Sequence, residues 1–151
     1  MTTLKQSAPQ QYSRILGYGA SRPDLSVTND DIAGPINSSD EWIRQRTGIV
    51  TRQRASENIS VADMASEAAQ DALKASHVTG EDIDTVIIST ISHPYATPSL
   101  ATIVADSIGS RCAAYDISAA CAGFCYGIAQ ADALVRSGVA RNVLVVGVEK
   151  L

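Results

Sequence analysis

Tyr115-Asp116-Ile117-Ser118-Ala119-Ala120-Cys121-Ala122-Gly123-Phe124 is the stretch on which the reading of this sequence turns. An apolar strand ends at Ile117, small residues follow, and a helix begins at Ala122. Cys121 sits at that elbow. The thiolate is the reactive form of cysteine, and a helix N-terminus favours negative charge through its free N–H groups and its dipole. The small neighbours leave room for an acyl group to reach the sulfur. The pattern points to a nucleophilic cysteine for acyl transfer. The competing account is a small buried cysteine in a tight turn.

Outward from the elbow, apolar strands and helices alternate. Ser13–Ala20 reads as a short strand. Ser38 and Glu41 have capping-box spacing and open a helix over Asp40–Arg46, closed by Gly48. Ile49–Arg54 reads as a second strand. Ser60 caps a helix over Val61–Ser76, with Ala62, Ala65, Ala69 and Leu73 at helical spacing. Thr79–Asp84 is a turn. Thr85–Thr90 is a β-branched run expected to be buried on both faces. A loop with His93, Pro94 and Pro98 leads to a helix over Ser99–Ile108, ended by Gly109. Cys112–Ile117 is a strand, Ala122–Ser137 a helix ended by Gly138, and Asn142–Val148 a last strand. This alternation implies parallel strands with right-handed crossovers, hence an α/β fold. Residues 1–12 are expected to be a flexible lead-in, and 13–151 one α/β unit. Leu151 follows closely on a strand that should be buried.

The bulk numbers narrow the function. The chain has 151 residues, 45% hydrophobic and 19% charged, with a net charge of −4. That balance suits a globular domain and argues against nucleic acid or an anionic membrane surface as the main partner. No stretch approaches the roughly 20 apolar residues of a membrane span, and Met1–Tyr12 lacks an apolar signal core. Cys112, Cys121 and Cys125 are too few and too oddly spaced for a disulfide framework, and a reducing cytoplasm is the simplest setting. A metal site is not expected, because His77 and His93 lie far from the cysteines. Trp42 and Arg46 lie i, i+4 on one helix face. They suit either stacking on a purine with phosphate pairing, or a core anchor beside a solvated charge. Arg44, Arg52 and Arg54 add positive charge nearby.

Asp116–Phe124 (DISAACAGF) and Ser38–Gly48 (SSDEWIRQRTG) together resemble β-ketoacyl-ACP synthase III, the initiating condensing enzyme of type II fatty acid synthesis. The resemblance runs from about Arg14 to the end. It implies a thiolase-like fold of α-β-α-β-α layers, of which this chain looks like the N-terminal half, with a mixed, mostly parallel sheet. It implies Cys121 as the acyl-carrying nucleophile, with Trp42 against the adenine of coenzyme A and Arg46 near its phosphates. It puts Thr97 in an acyl pocket reached across a dimer interface, where a bulkier residue would narrow the space. It further implies acyl-CoA and malonyl-acyl carrier protein as substrates, no metal or redox cofactor, and a cytoplasmic homodimer. The family's catalytic histidine and asparagine have no counterpart here. His77 and His93 fall outside its histidine motif. The starter acyl group is left open. Two other readings stand beside it: another thiolase-like condensing enzyme, of hydroxymethylglutaryl-CoA synthase or polyketide starter type, and a non-catalytic fragment that binds coenzyme A or dimerises.

Overall fold

The structure, a computed structural model, describes residues 8–10 and 12–150. Residues 1–7, 11 and 151 lie outside it, so most of the expected lead-in and the chain end are beyond description. The chain divides into two compact units, residues 22–60 and the remainder.

The larger unit is built on a strand that water does not reach. Strand β3 (Thr85–Ser89) is buried at all five positions. It pairs in parallel with β4 (Ala113–Ile117) on one side and β5 (Val143–Gly147) on the other. Its run Val-Ile-Ile suits a two-sided core, because β-branched side chains pack well on a pleated surface. The period of two then assigns the helices. Val86, Ile88, Leu144 and Val146 share a core with α3 (Val61–Ser76) and α4 (Leu100–Ser107). On the other face, a Cβ at Gly127 of α5 (Gly123–Arg136) would meet Val145 at 2.8 Å and Ile87 at 3.7 Å. Tyr115 also points that way, and its hydroxyl donates to Gln130 of α5 at 2.8 Å. The connections β3-α4-β4 and β4-α5-β5 run in opposite directions across the sheet, so right-handed crossovers require α4 and α5 on opposite faces.

The smaller unit pairs β1 (Leu25–Thr28) antiparallel with β2 (Thr51–Arg54). Between them lie α1 (Asn29–Ala33) and α2 (Asp40–Thr47). The expected mixed sheet is therefore divided: the large sheet is wholly parallel, and the antiparallel pairing belongs to a separate ribbon.

Three local expectations are corrected. Residues 13–20 form no strand. Their backbone is committed to helices: ideal Cβ atoms at Gly17 and Gly19 would lie 2.7 Å and 2.3 Å from the backbone nitrogens of Ser76 and Ala72 in α3, and Ser13 donates to Asp132 of α5 at 2.7 Å. Only a residue without a side chain allows that approach. The Ser38–Glu41 capping box does not form. The cap is Ser39, whose hydroxyl accepts from the Trp42 N–H at 3.2 Å, while Glu41 accepts from Gln45. The expected strand over Ile49–Arg54 is shortened to Thr51–Arg54, and its partner β1, together with α1, was not foreseen. The closure at Gly48 holds, with φ of 72° and its N–H on the Arg44 carbonyl.

Gly19→Ala is expected to push residues 13–20 off α3, because the new methyl meets backbone that cannot rotate away. The cost is on the order of 1–3 kcal/mol. A thermal melt and limited proteolysis within 13–20 will check it; an unchanged melting temperature with intact protection contradicts the packing described.

Candidate active site

The elbow after β4 is tightly specified. Ser118 and Ala119 leave the sheet, and Ala120–Ala122 forms one turn of 3-10 helix that runs into α5. Ala120 holds a φ of 46°. A residue with a side chain in that left-handed region costs about 1–3 kcal/mol, and such strain concentrates at functional sites. The Ala122 N–H donates to the Ala119 carbonyl at 3.1 Å, and the Gly123 N–H to the Ala120 carbonyl. Cys121 is thereby held exposed at the top of the turn, two residues before α5. The start of α5 is pressed on the sheet, because a Cβ at Gly123 would fall 2.0 Å from the Ser89 hydroxyl oxygen. The residue capping α5 is Ala122, which has no side-chain oxygen to occupy the helix's first N–H groups. Cys121 precedes this uncapped, positive end of the helix by two residues.

The other two cysteines are differently placed. Cys112 is half-buried and packs against the core just before β4. Cys125 is exposed and is the third residue of α5, within its first turn. All three are free, and among the described residues no three His, Cys, Asp or Glu side chains cluster to hold a metal ion.

Asp116, inside the same motif, has a structural task that its sequence context did not announce. Its carboxylate accepts from the N–H groups of Leu100 and Ala101 at 2.7 and 2.8 Å. It complements the dipole of α4, an interaction worth up to about 2 kcal/mol when partly buried. The β3–α4 loop therefore begins at one strand of the sheet and is anchored to the next. Thr90, Ile91, His93 and Tyr95 of this loop line, together with Tyr115 and Ser118, an open cavity of about 540 Å³. Thr97 lies on the same loop, exposed, between Ala96 of the cavity wall and a cis bond to Pro98. The His93 ring sits 3.2 Å from the Pro98 carbonyl and edge-on to Tyr95. His77 follows α3.

Trp42 and Arg46 belong to the smaller unit. Trp42 is 53% exposed, so it is not a core anchor; Ile43, 6% exposed, is the residue that seats α2. The Arg46 guanidinium carbon lies 5.5 Å from the centre of the Trp42 ring, a cation–π pair worth about 0.5–1 kcal/mol at an exposed site. The pair presents an aromatic face beside a fixed positive charge. Behind it, buried Asn29 donates to Asp40 at 2.7 Å and to the Ile49 carbonyl at 2.8 Å, and accepts from Arg52 at 2.6 Å. Asn29 thus ties α1, α2 and β2 together. The Thr28-x-x-Asp31 capping box at the start of α1 was the available sequence signal for it. Arg44 pairs with Asp40 at 2.7 Å. Its hydrogen bond, followed by that from Asn29, holds the Asp40 carboxyl below the usual carboxylate value.

A sequence model of the family described as 3-oxoacyl-[acyl-carrier-protein (ACP)] synthase III matches residues 115–151, which include the elbow. The whole chain is 62% identical to 43% of the beta-ketoacyl-[acyl-carrier-protein] synthase III of Kocuria rhizophila. Over 93% of its length it is 51% identical to 44% of that of Tropheryma whipplei. Among solved structures, 3-oxoacyl-[acyl-carrier-protein] synthase III from Aquifex aeolicus superposes with a TM-score of 0.83 at 40% identity, over 88% of this chain and 43% of that one. The priming beta-ketosynthase of the R1128 polyketide pathway superposes with a TM-score of 0.87 at 38% identity, over 95% and 43%. The α/β, thiolase-like fold expected from the sequence is the fold of those structures over the shared length. The chain spans less than half the length of these relatives. Among the described residues no helix is long and apolar enough to cross a membrane.

Arg44→Ala should raise the Asp40 pKa toward its ordinary value, with Asn29 keeping part of the depression. A group with a depressed folded pKa adds stability above its unfolded pKa and loses it as pH falls through the folded one. The variant should therefore begin to lose the order of α2 at a higher pH than the wild type. A carboxyl chemical-shift titration of Asp40 in both proteins checks the direction; identical curves contradict it.

Proposed function

We propose that this chain, a relative of β-ketoacyl-ACP synthase III that spans less than half of those enzymes' length, is the cysteine-bearing α/β half of such a condensing enzyme. The observation that carries this reading is Cys121, exposed on a strained turn at the carboxyl end of a parallel strand, inside the segment that the family model matches. Crevices at the carboxyl ends of parallel strands are where α/β sheets bind ligands.

In the proposed reaction the Cys121 thiolate adds to the carbonyl carbon of an acyl-CoA thioester. Backbone N–H groups at the turn stabilise the oxyanion. The C–S bond to coenzyme A breaks, and the departing thiolate takes up a proton, leaving an acyl-cysteine. Malonyl-acyl carrier protein then loses CO2, and the resulting enolate carbon attacks the acyl-cysteine carbonyl. The Cys121 sulfur leaves, giving a 3-oxoacyl-acyl carrier protein. This sequence calls for no metal or redox cofactor; coenzyme A arrives as part of the substrate. Trp42 stacks on the adenine and Arg46 pairs with the phosphates. Thr97 lines the acyl pocket across the interface of a cytoplasmic homodimer. The histidine and asparagine needed for decarboxylation come from a second α/β half, so the 151 residues alone bind and carry acyl groups without condensing them. Exposed Phe124 and Ile128, one turn apart on α5, offer an apolar face that such a half would cover. A polyketide starter synthase is the second reading, favoured by the superposition on the R1128 priming enzyme; the 62% identity to a fatty acid enzyme favours the first.

Two experiments on the enzyme extended to its natural stop codon test this. After mixing with acyl-CoA, mass spectrometry should find the acyl adduct on Cys121, with Cys112 and Cys125 unmodified; an adduct on either of those with Cys121 free sinks the assignment. Trp42→Ala should raise the apparent KM for acyl-CoA about tenfold or more, since stacking on a base is worth roughly 1–3 kcal/mol, while the melting temperature holds. Unaltered KM removes Trp42 from the coenzyme A site.

A further inference from the structure

Glu149 stands two residues beyond β5, outside every motif read from the sequence. Its carboxylate collects donors from the segment leaving β3. The Ile91 N–H donates to Oε1 at 2.9 Å and the Ser92 N–H to Oε2 at 3.0 Å. The hydroxyls of Ser92 and Thr90 donate to Oε2 as well. Ser92 answers in the other direction, its hydroxyl accepting the Lys150 N–H at 3.0 Å, and the Val148 N–H donates to the Ser89 carbonyl at 3.1 Å. The chain ends of β3 and β5 are thus clasped. Consecutive backbone N–H groups converging on one point form an anion-binding concavity, and here the anion is part of the protein. Two of the four donors are main-chain, so the carboxylate fixes the path of the loop and not merely one side-chain rotamer.

Two of the three clasped residues, Thr90 and Ile91, are cavity wall. They line the 540 Å³ space directly, and His93 and Tyr95 follow on the same loop. Ser118, three residues before Cys121, lines the same space. We propose that Glu149 is a positioning residue for acyl-group selection: it holds the loop that sets the width of the cavity, without touching the thioester itself. This rests on the condensing-enzyme reading. The role demands a carboxylate, because all four partners are donors and an amide would turn two N–H donors of its own toward them. Freed from the clasp, the loop no longer presents a fixed wall, and acyl chains of different bulk become alike to the enzyme.

The test uses the enzyme extended to its natural stop codon and the ratio of kcat/KM for acetyl-CoA and octanoyl-CoA. E149Q should bring that ratio roughly tenfold closer to one, the loss expected for charge-assisted hydrogen bonds to a carboxylate. The change should fall mainly on KM for the two chains and less on kcat for the preferred one. S92A, which removes one leg of the clasp, should move the ratio the same way by less, and it decides the matter if E149Q does not fold. A ratio unchanged in the folded variants overturns the role of Glu149. So does an equal loss for both substrates with a lowered melting temperature, the mark of a merely structural residue. A wild-type enzyme that transfers no acyl group to Cys121 overturns the condensing-enzyme reading and this inference with it, whereas transfer with an unaltered ratio overturns this inference alone.

Discussion

Burial of β3 from both sides is the constraint on which the larger unit depends. Val86, Ile87 and Ile88 are wholly shielded from solvent. Each such side chain gains about 1.5–3 kcal/mol on leaving water, and that gain is available only if helices cover both faces. The alternation of side chains then leaves little freedom. Even-numbered residues of β3 and β5 must meet α3 and α4, and odd-numbered ones must meet α5. The position of the elbow is a consequence, since the turn carrying Cys121 is the path from the strand beside β3 to the helix on its far face.

Close approach does the rest of the positioning. Gly123 and Gly127 lie one turn apart on the inner face of α5, against Ser89 and Val145. A methyl at either would lift the helix and move the turn before it. The strained φ at Ala120 belongs to the same arrangement: the chain must turn sharply to enter a helix held so near the sheet. Asp116 and Glu149 serve the neighbouring loop in a comparable way. Each carboxylate sits at a strand end and gathers backbone N–H groups from the chain leaving β3. Two acids, one in β4 and one just beyond β5, thus tie down the chain leaving β3.

The smaller unit solves a different problem, the presentation of an exposed aromatic beside a cation. Ile43 alone of α2 is buried, and the hydrogen bonds of Asn29 supply what so small an apolar contact cannot. An amide that both donates and accepts can join a carboxylate, a carbonyl and a guanidinium at once. The outward tilt of Trp42 toward Arg46 then follows from which face of α2 is tied down.

The sequence by itself determined the periodic elements and the strand–helix elbow that carries Cys121. The helix over Val61–Ser76, the β-branched strand from Thr85 and the elbow at Cys121 all stood out, because helical spacing, a two-sided apolar run and a strand–helix junction are local signals. It also carried the likeness to a family through two short motifs. Only the tertiary structure decided where residues 13–20 go, which serine caps α2, that β2 pairs with β1, and what Asp116, Glu149 and Asn29 are for. The physical reason is common to all of these. Whether a backbone segment enters a ladder or lies along a helix depends on the partner offered to its N–H and C=O groups. A carboxylate likewise earns its role from donors that are distant in sequence, 57 or 58 residues away for Glu149, and no local pattern records them.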